Sequence, residues 1–417
     1  MAKRLVLLTN YYPFFRGEEY VERELTHLVE RFDQVLVVPT MRSASMSQTR
    51  VLPPGAVLVD TRYDSGMAAK ARQLRAGFPH RAKPIGSTPW NLPVRIAYES
   101  YFEGRSREVA ARVASALRDR DLSDQDSILI YSYWLYVTAR VGMLLAEGPL
   151  ATWRPRVVSR AHGYDINAAA SPVNYLPARS RLLTGLDAVF PVAEYSARRL
   201  RAEYPEHAPK VGVRRLGVVP AGTSPVSDRT SRVIVTCSTI RPLKRLELVA
   251  EAVARLRSDG LDVRWVHLGW GAEKYASTLV ESSRRLLGDA VQFRGHIDNG
   301  EIGEWYRAAG ASAFVNVSTS EGVPVSVMEA MRAGVPVVVT DVGGTTELLP
   351  QGWPYVLDAG CAAADLAEAI RDVLELPDDE YRRLGTSMRR EWAENWNGDV
   401  VFGDFADELI ELMDADG

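Results

Sequence analysis

Two carboxylates, Glu321 and Glu329, stand eight positions apart in the stretch FVNVSTSEGVPVSVMEAMRAGVPVVVTDVGGTTELL at 314–349. Residues 320–322 read as a tight loop that ends at Pro324, and 325–332 as a short helix stopped by Gly334. One carboxylate lies in the loop and the other in the helix's second turn. The free N–H groups of a helix start favour anions and sugar hydroxyls. Carboxylates beside them accept the paired hydroxyls of a ribose or hexose. The pattern is that of a sugar-nucleotide cradle. A third candidate, His162, stands with Gly163 and Asp165 in SRAHGYDIN at 159–167. An imidazole there can donate to a phosphate or a sugar hydroxyl, and it can carry charge near neutral pH.

These residues need a scaffold that ends strands at one edge. In the first half, apolar runs at 4–9, 34–39, 127–131, 156–159 and 188–192 alternate with helical stretches at 18–30, 108–117 and 196–203. Residues 41–93, rich in Pro, Ser, Gly and Arg, read as long loops plus one or two helices. The second half restarts the rhythm: a strand at 233–238, an amphipathic helix at 243–257, strands in VRWVHLG and VQFRG, and helices at 274–287 and 302–309. From 378 onwards the pattern is helical. Alternating strands and helices predict parallel sheets covered on both faces. The expected organisation is an α/β chain of two doubly wound, Rossmann-like domains facing a central cleft, with ligands at the strand C-termini. The first domain spans 1–216, a linker 217–231 and the second domain 232–395, and a helix at 396–417 packs back on the first domain.

Size and charge agree with that division. A chain of 417 residues makes two domains of about 200 each. A net charge of −3 gives no global case for nucleic-acid binding. The two cysteines, Cys237 and Cys361, lack metal-ligand spacing and suit a reducing cytoplasm. The apolar run LVLL near the start reads as a first strand, and no run approaches a membrane span. Between 62 and 120 basic residues predominate, which suits peripheral contact with an anionic membrane or an anionic acceptor; a solvated helical face explains the same charges.

Taken whole, S-E-G-x-P, then E-A-M, then G-V-P-V-V-x-T-D-V-G-G-x-x-E closely resembles the donor-site segment of retaining glycosyltransferases of family 4, which have the GT-B fold. The resemblance implies that Glu321 accepts from hydroxyls of a donor hexose and that Glu329 grips both ribose hydroxyls. It implies that Gly322, Val323 and Val325 offer N–H groups to the sugar and phosphate, Pro324 having none. HGYD resembles the family's H-G-x-D, placing His162 beside the transferred sugar and leaving Asp165 to orient backbone or acceptor. In CSTIRPLKRLELVAEAV at 237–253, Lys244 matches the diphosphate lysine. The family's arginine five residues earlier is here Thr239, and Arg241 is the expected substitute. Gly17 matches the glycine of the first loop, and backbone near His296 and Ile297 would read the nucleobase.

The implied reaction is transfer of a hexose from a UDP-sugar, or second a GDP-sugar, to a hydroxyl of a saccharide, lipid-linked saccharide or small metabolite. No separate cofactor and no metal are expected. Asp124 and Asp126 have Asp-x-Asp spacing, but they precede a strand rather than follow one. Two other readings fit the same motifs: a sugar-nucleotide epimerase or hydrolase, and a non-catalytic sugar-nucleotide-binding partner.

Overall fold

The computed structural model describes residues 2–14, 18–63, 66–118, 120, 122–171, 173–220, 232–297 and 300–415. The chain forms two compact units, Met1–Leu216 with Val400–Gly417, and Gly217–Asp399. Most of the expected linker, 221–231, lies outside the described residues.

Unit one is built on β1 (Lys3–Thr9), β2 (Gln34–Pro39), β3 (Ala56–Leu58), β4 (Ser127–Ser132), β5 (Arg156–Ala161) and β6 (Ala188–Pro191), in the order β3-β2-β1-β4-β5-β6. Unit two has β7 (Val233–Cys237), β8 (Arg264–Leu268), β9 (Val291–Phe293), β10 (Ala311–Asn316), β11 (Val337–Thr340) and β12 (Val356–Leu357), in the order β12-β11-β10-β7-β8-β9. Every pairing is parallel. In both sheets the winding direction reverses beside the first strand, between β1 and β4 and between β7 and β10. Chain leaving those strand ends diverges and opens room for a ligand.

Burial on both faces explains the unbroken apolar strands. Leu5, Leu7, Val35, Val37 and Leu129 point to one face of the first sheet, and Val6, Leu8, Leu36, Val38 and Ile130 to the other. This is the two-residue period of a strand packed on both sides. Helix Glu19–Arg31 covers the first face with Val21, Leu25 and Leu28. The same core takes Phe405, Ala406 and Leu409 from the C-terminal helix Gly398–Asp414. Beneath that helix lies a fully buried ion pair, Arg160 Nε to Glu24 Oε2 at 3.1 Å, and the Arg160 guanidinium rests 4.1 Å from the Phe405 ring centre.

Between 41 and 93 the helix Met67–Gly77 fits the expected loops and helices, while the strand β3 and the length of the next helix depart from expectation. The helix read at 108–117 runs from Leu92 to Arg118. It packs against a second helix, Met67–Gly77, so closely that a Cβ on Gly104 would meet the Gln73 carbonyl oxygen at 1.8 Å. The buried face of the long helix carries Glu99, Ser100, Glu103, Arg105 and Ser106 beside Phe102 and Val109, so an apolar count misses its first turns. Glu103 is satisfied by Arg140 Nε at 3.0 Å and by Arg107 Nε at 2.8 Å. Asp126 binds the Ala2 N–H and the Arg4 guanidinium.

Candidate active site

In unit two three loops meet above β7, β10 and β11. Asn316 ends β10, and its Nδ2 donates to Glu321 Oε1 at 3.2 Å. Ser318 Oγ donates to the same oxygen at 2.6 Å, and Lys244 Nζ approaches it to 2.5 Å. Three donors converge on one carboxylate oxygen, which fixes the side chain while Oε2 takes none of them. The lysine loop is stitched to the glutamate loop twice more, by Thr319 N–H to Leu243 O at 2.8 Å and Arg245 Nε to Val317 O at 2.7 Å. Gly344 N–H donates to Gly322 O at 2.9 Å. Gly343, at φ +59°, sits where a Cβ would lie 1.9 Å from the Glu321 carbonyl oxygen, so only glycine allows this approach.

Helix Val325–Ala333 starts at this junction, with Pro324 at its N-cap and no side chain capping its first N–H groups. Those donors are therefore open to a ligand. Gly334, at φ +74°, ends the helix as expected. Glu329 sits within the helix, 4% exposed. Burial pushes its carboxyl up to about 8, with the Arg332 charge opposing. Its charge also reaches Cys237, whose thiol burial pushes well up.

The other residues expected at this site stand around this core. Thr239 and Arg241 are both exposed on the loop that follows β7, and Arg241 makes no ion pair among the described residues. Beyond β9, Gly295 O accepts from Gly269 N–H at 2.6 Å, which sets His296 at the surface and leaves Ile297 partly packed on the core.

In unit one the corresponding strand ends carry an aromatic cluster. His162 follows β5 and is 8% exposed, with its ring 4.3 Å from that of Trp134 and 5.0 Å from that of Tyr133. Neither ring nitrogen has a hydrogen-bond partner among the described residues. Asp165 is wholly buried. Its Oδ1 accepts the His162 N–H at 2.5 Å and its Oδ2 the Leu135 N–H at 2.8 Å, so it ties the loop after β5 to the loop after β4. Arg179 braces the same junction through the carbonyls of Asp165 and Leu135. Asp165 thus shapes the His162 loop through backbone contacts and presents no surface to solvent.

Glu18, which sequence reasoning placed in a helix, instead precedes it at φ +58°. Its carboxylate accepts the N–H groups of Asn10, Tyr11 and Tyr12 at 2.9, 2.7 and 2.7 Å and the Trp134 indole at 2.6 Å. The amides that follow β1 are therefore already occupied by a carboxylate. Gly17 lies outside the described residues.

Residues 224–394 match the family model described as glycosyl transferases group 1. That match lies within the second unit, Gly217–Asp399. The chain is 28% identical over 275 residues to the putative colanic acid biosynthesis glycosyltransferase WcaL of Escherichia coli, covering 63% of this chain and 66% of that protein. It is 27% identical over 322 residues to D-inositol 3-phosphate glycosyltransferase 2 of Catenulispora acidiphila, covering 68% and 72%. Among solved structures, Anabaena HepE in complex with UDP and glucose superposes with a TM-score of 0.65 at 17% identity, over 97% of this chain and 98% of that one. Sucrose-phosphate synthase of Thermosynechococcus elongatus gives 0.74 at 16%, over 99% and 100%. The fold is GT-B, with two Rossmann-like domains.

The second unit gathers Lys244, Glu321, Gly322, Val323, Pro324, Val325 and Glu329 around one helix start, with Arg241 on the adjoining loop. Sequence reasoning missed Glu18, Trp134 and Arg105. Glu18 and Trp134 stand in no pattern a periodicity or motif scan detects. Arg105 was hidden by the polar face of its helix.

Proposed function

We propose that this chain is a retaining glycosyltransferase that moves a hexose from a nucleoside diphosphate sugar to an acceptor hydroxyl without a divalent metal. UDP is the first choice of carrier and GDP the second. The observation that carries the reading is the grouping of Glu329, a buried carboxylate, with a helix start that no side chain caps and the Lys244–Glu321 pair. Two adjacent ribose hydroxyls would satisfy that carboxylate. The relatives named for colanic acid and inositol 3-phosphate glycosylation, and the UDP and glucose bound to HepE, support the same chemistry.

Each side chain has a role in that scheme. Lys244, with Arg241 beside it, offsets the charge that develops on the leaving diphosphate. N–H groups at the start of helix Val325–Ala333 receive the phosphate and sugar. Glu321, held rigid by three donors, accepts from hexose hydroxyls. The bond from the anomeric carbon to the phosphate oxygen breaks while the acceptor oxygen attacks from the same face, and the acceptor's proton passes to the departing phosphate oxygen. His162 stands by to donate to the sugar or phosphate.

The proposed setting is the cytoplasm, with peripheral contact at an anionic membrane. Among the described residues no helix is long and apolar enough to cross a membrane. Support for the contact comes from 67–95, which holds six Lys or Arg and no Asp or Glu. Met67 and Trp90 there are 88% and 93% exposed, and Phe78, Ile85 and Val94 are also exposed. Cations interleaved with exposed apolar side chains suit an anionic lipid surface. Flotation with vesicles containing anionic lipid should retain the protein and should weaken sharply in Trp90→Ala or at high salt.

Thermal shift with UDP-, GDP- and ADP-sugars tests the donor, because a tight ligand raises Tm by mass action. The stabilising donor should then yield free nucleoside diphosphate plus a glycoside, with EDTA present. An altered sugar nucleotide as the product, or no donor that binds, would refute the reading.

A further inference from the structure

Arg105 stands beside unit one's aromatic cluster with no ion-pair partner among the described residues. It sits on the long helix Leu92–Arg118 and is 8% exposed. Its Nε and Nη2 are buried with no hydrogen-bond partner among the described residues, and no carboxylate there comes within ion-pair distance. Its neighbours on the same helix differ sharply. Glu103 is matched by Arg140, Arg107 and Arg181, and Glu99 accepts the Tyr175 hydroxyl and the Ala178 N–H. An unpaired buried cation is among the costlier features a fold can carry.

The surroundings are rings and hydroxyls. The guanidinium lies 4.6 Å from the Tyr63 ring centre, a cation–π contact that offsets part of the desolvation. Its charge also acts on the phenols of Tyr11, Tyr136 and Tyr164. The Tyr136 and Tyr164 ring centres lie 6.3 Å apart, Tyr164 tilts against Trp134 at 4.8 Å, and Trp134 tilts against His162 at 4.3 Å. Tyr164 is 42% exposed, so the cluster opens to solvent at that ring. Tyr98 and Phe102, on the same helix as Arg105, meet Tyr136 through a hydroxyl pair and an edge-on ring contact, which ties that helix to the aromatic cluster around His162, at the strand ends where a doubly wound sheet holds its ligands.

We propose that unit one is an acceptor site for an anion-bearing sugar or polyol, whose phosphate monoester or carboxylate group pairs with Arg105. Tyrosine and tryptophan faces stack on the acceptor's ring, and the anion fixes which hydroxyl faces His162. Arginine suits this task because its planar fork takes two oxygens of a phosphate or carboxylate together. The proposal rests on the glycosyltransferase reading for the acceptor's role. The anion site itself can be tested without turnover.

The probes are glucose 6-phosphate, glucuronate and plain glucose, each titrated by thermal shift and calorimetry against wild type, Arg105→Gln and Lys244→Ala. The phosphate, the uronate or both should stabilise wild type and Lys244→Ala, glucose should not, and Arg105→Gln should lose the response by at least tenfold in affinity. Which anion acts separates the two sources. The unliganded Arg105→Gln protein should melt no lower than wild type, because it sheds an unpaired buried charge. If that variant does not fold, Arg105→Lys replaces it and should bind the anion more weakly than wild type. An anion response unchanged by the Arg105 substitutions, one lost instead in Lys244→Ala, or none in wild type would overturn the proposal. Donor binding, read with nucleotide sugars and Glu329→Gln, stands or falls separately.

Discussion

Lys244 Nζ lies 2.5 Å from Glu321 Oε1, so the cation suited to a diphosphate is held by the carboxylate suited to the hexose. Both side chains are mostly buried, at 20% and 11% exposure, which keeps solvent from screening the pair. Any phosphate that engages Lys244 must share it with Glu321. A free nucleoside diphosphate carries no hexose to repay the carboxylate, whereas the intact donor does.

Glu321→Gln should therefore separate the two ligands. Affinity for UDP should hold or rise several-fold, because a repelling charge beside the phosphates is removed. Transfer should fall by about 100-fold or more, the scale of losing one transition-state contact. Calorimetry with UDP and a coupled transfer assay measure the two effects. Equal losses in both would show that Glu321 serves only to hold the loop. Lys244→Ala should do the reverse and weaken UDP, leaving Glu321 held by Asn316 and Ser318.

The unit-two part of this arrangement was legible in the sequence because it is local. One strand, one loop and one short helix between Ala311 and Ala333 carry Glu321, the N–H groups and Glu329. Strand runs were legible too, since burial on both faces makes them continuously apolar. Unit one was less readable because its site is assembled from distant segments. Glu18 reaches Trp134 across 116 positions, and Asp165 reaches the Leu135 amide across 30. The helix Leu92–Arg118 hid its first turns by burying Arg105 together with Glu99 and Glu103, which find Tyr175, Ala178, Arg140 and Arg181 on other elements. Lys244 was expected in a continuous helix from 243, but Pro242–Lys244 is a separate turn and Arg245 adopts φ +48° before the helix begins at Leu246. That kink lets Arg245 bond the Val317 carbonyl and sets Lys244 against Glu321.

Arg241 should matter in transfer more than in nucleoside binding. It is exposed on the Lys244 loop, two positions from Thr239, and no ion pair restrains it among the described residues. Arg241→Ala should lower kcat/KM by about 2–4 kcal/mol in activation terms, while affinity for uridine changes less than twofold. Thr239→Arg in that background should restore little. Full turnover in Arg241→Ala would leave Lys244 and the helix start as the whole phosphate site.

The C-terminal helix should be required for unit one's stability and not for donor binding. Phe405 packs edge-on to Tyr131 at 5.5 Å and Phe190 at 5.2 Å and covers the Arg160 guanidinium. Phe405→Ala leaves a cavity over a buried ion pair and should cost about 3–5 kcal/mol. A lowered melting transition, with nucleotide affinity within twofold of wild type in the folded protein, is the expected pair of results. Phe405→Leu should fall between. A transition unmoved by Phe405→Ala would mean that the core closes without the helix.

Glu329 supplies a pH test with a definite sign. Burial holds its carboxyl near 8 in the folded protein, against an ordinary value of 4.5. Between those values the native state keeps a proton that the unfolded chain has lost. The stabilisation is full below about 4.5 and falls as pH rises towards 8, by up to about 1.4 kcal/mol per pH unit. Glu329→Gln removes this slope, so the variant should gain on wild type in denaturation series run from pH 5 to pH 9. Ligand binding carries the opposite demand. Two ribose hydroxyls donate best to an ionised carboxylate, so nucleotide binding should lower the carboxyl's pKa and expel its proton. Near pH 7, calorimetry in buffers of different ionisation enthalpy should show release of most of one proton per nucleotide bound. Affinity should rise with pH until about 8 and then level off. In Glu329→Gln both the proton release and the pH dependence should vanish, and affinity at pH 8 should fall about tenfold, or about 1.4 kcal/mol. Binding enthalpies independent of buffer, with affinity flat across this range, would remove Glu329 from the ribose site.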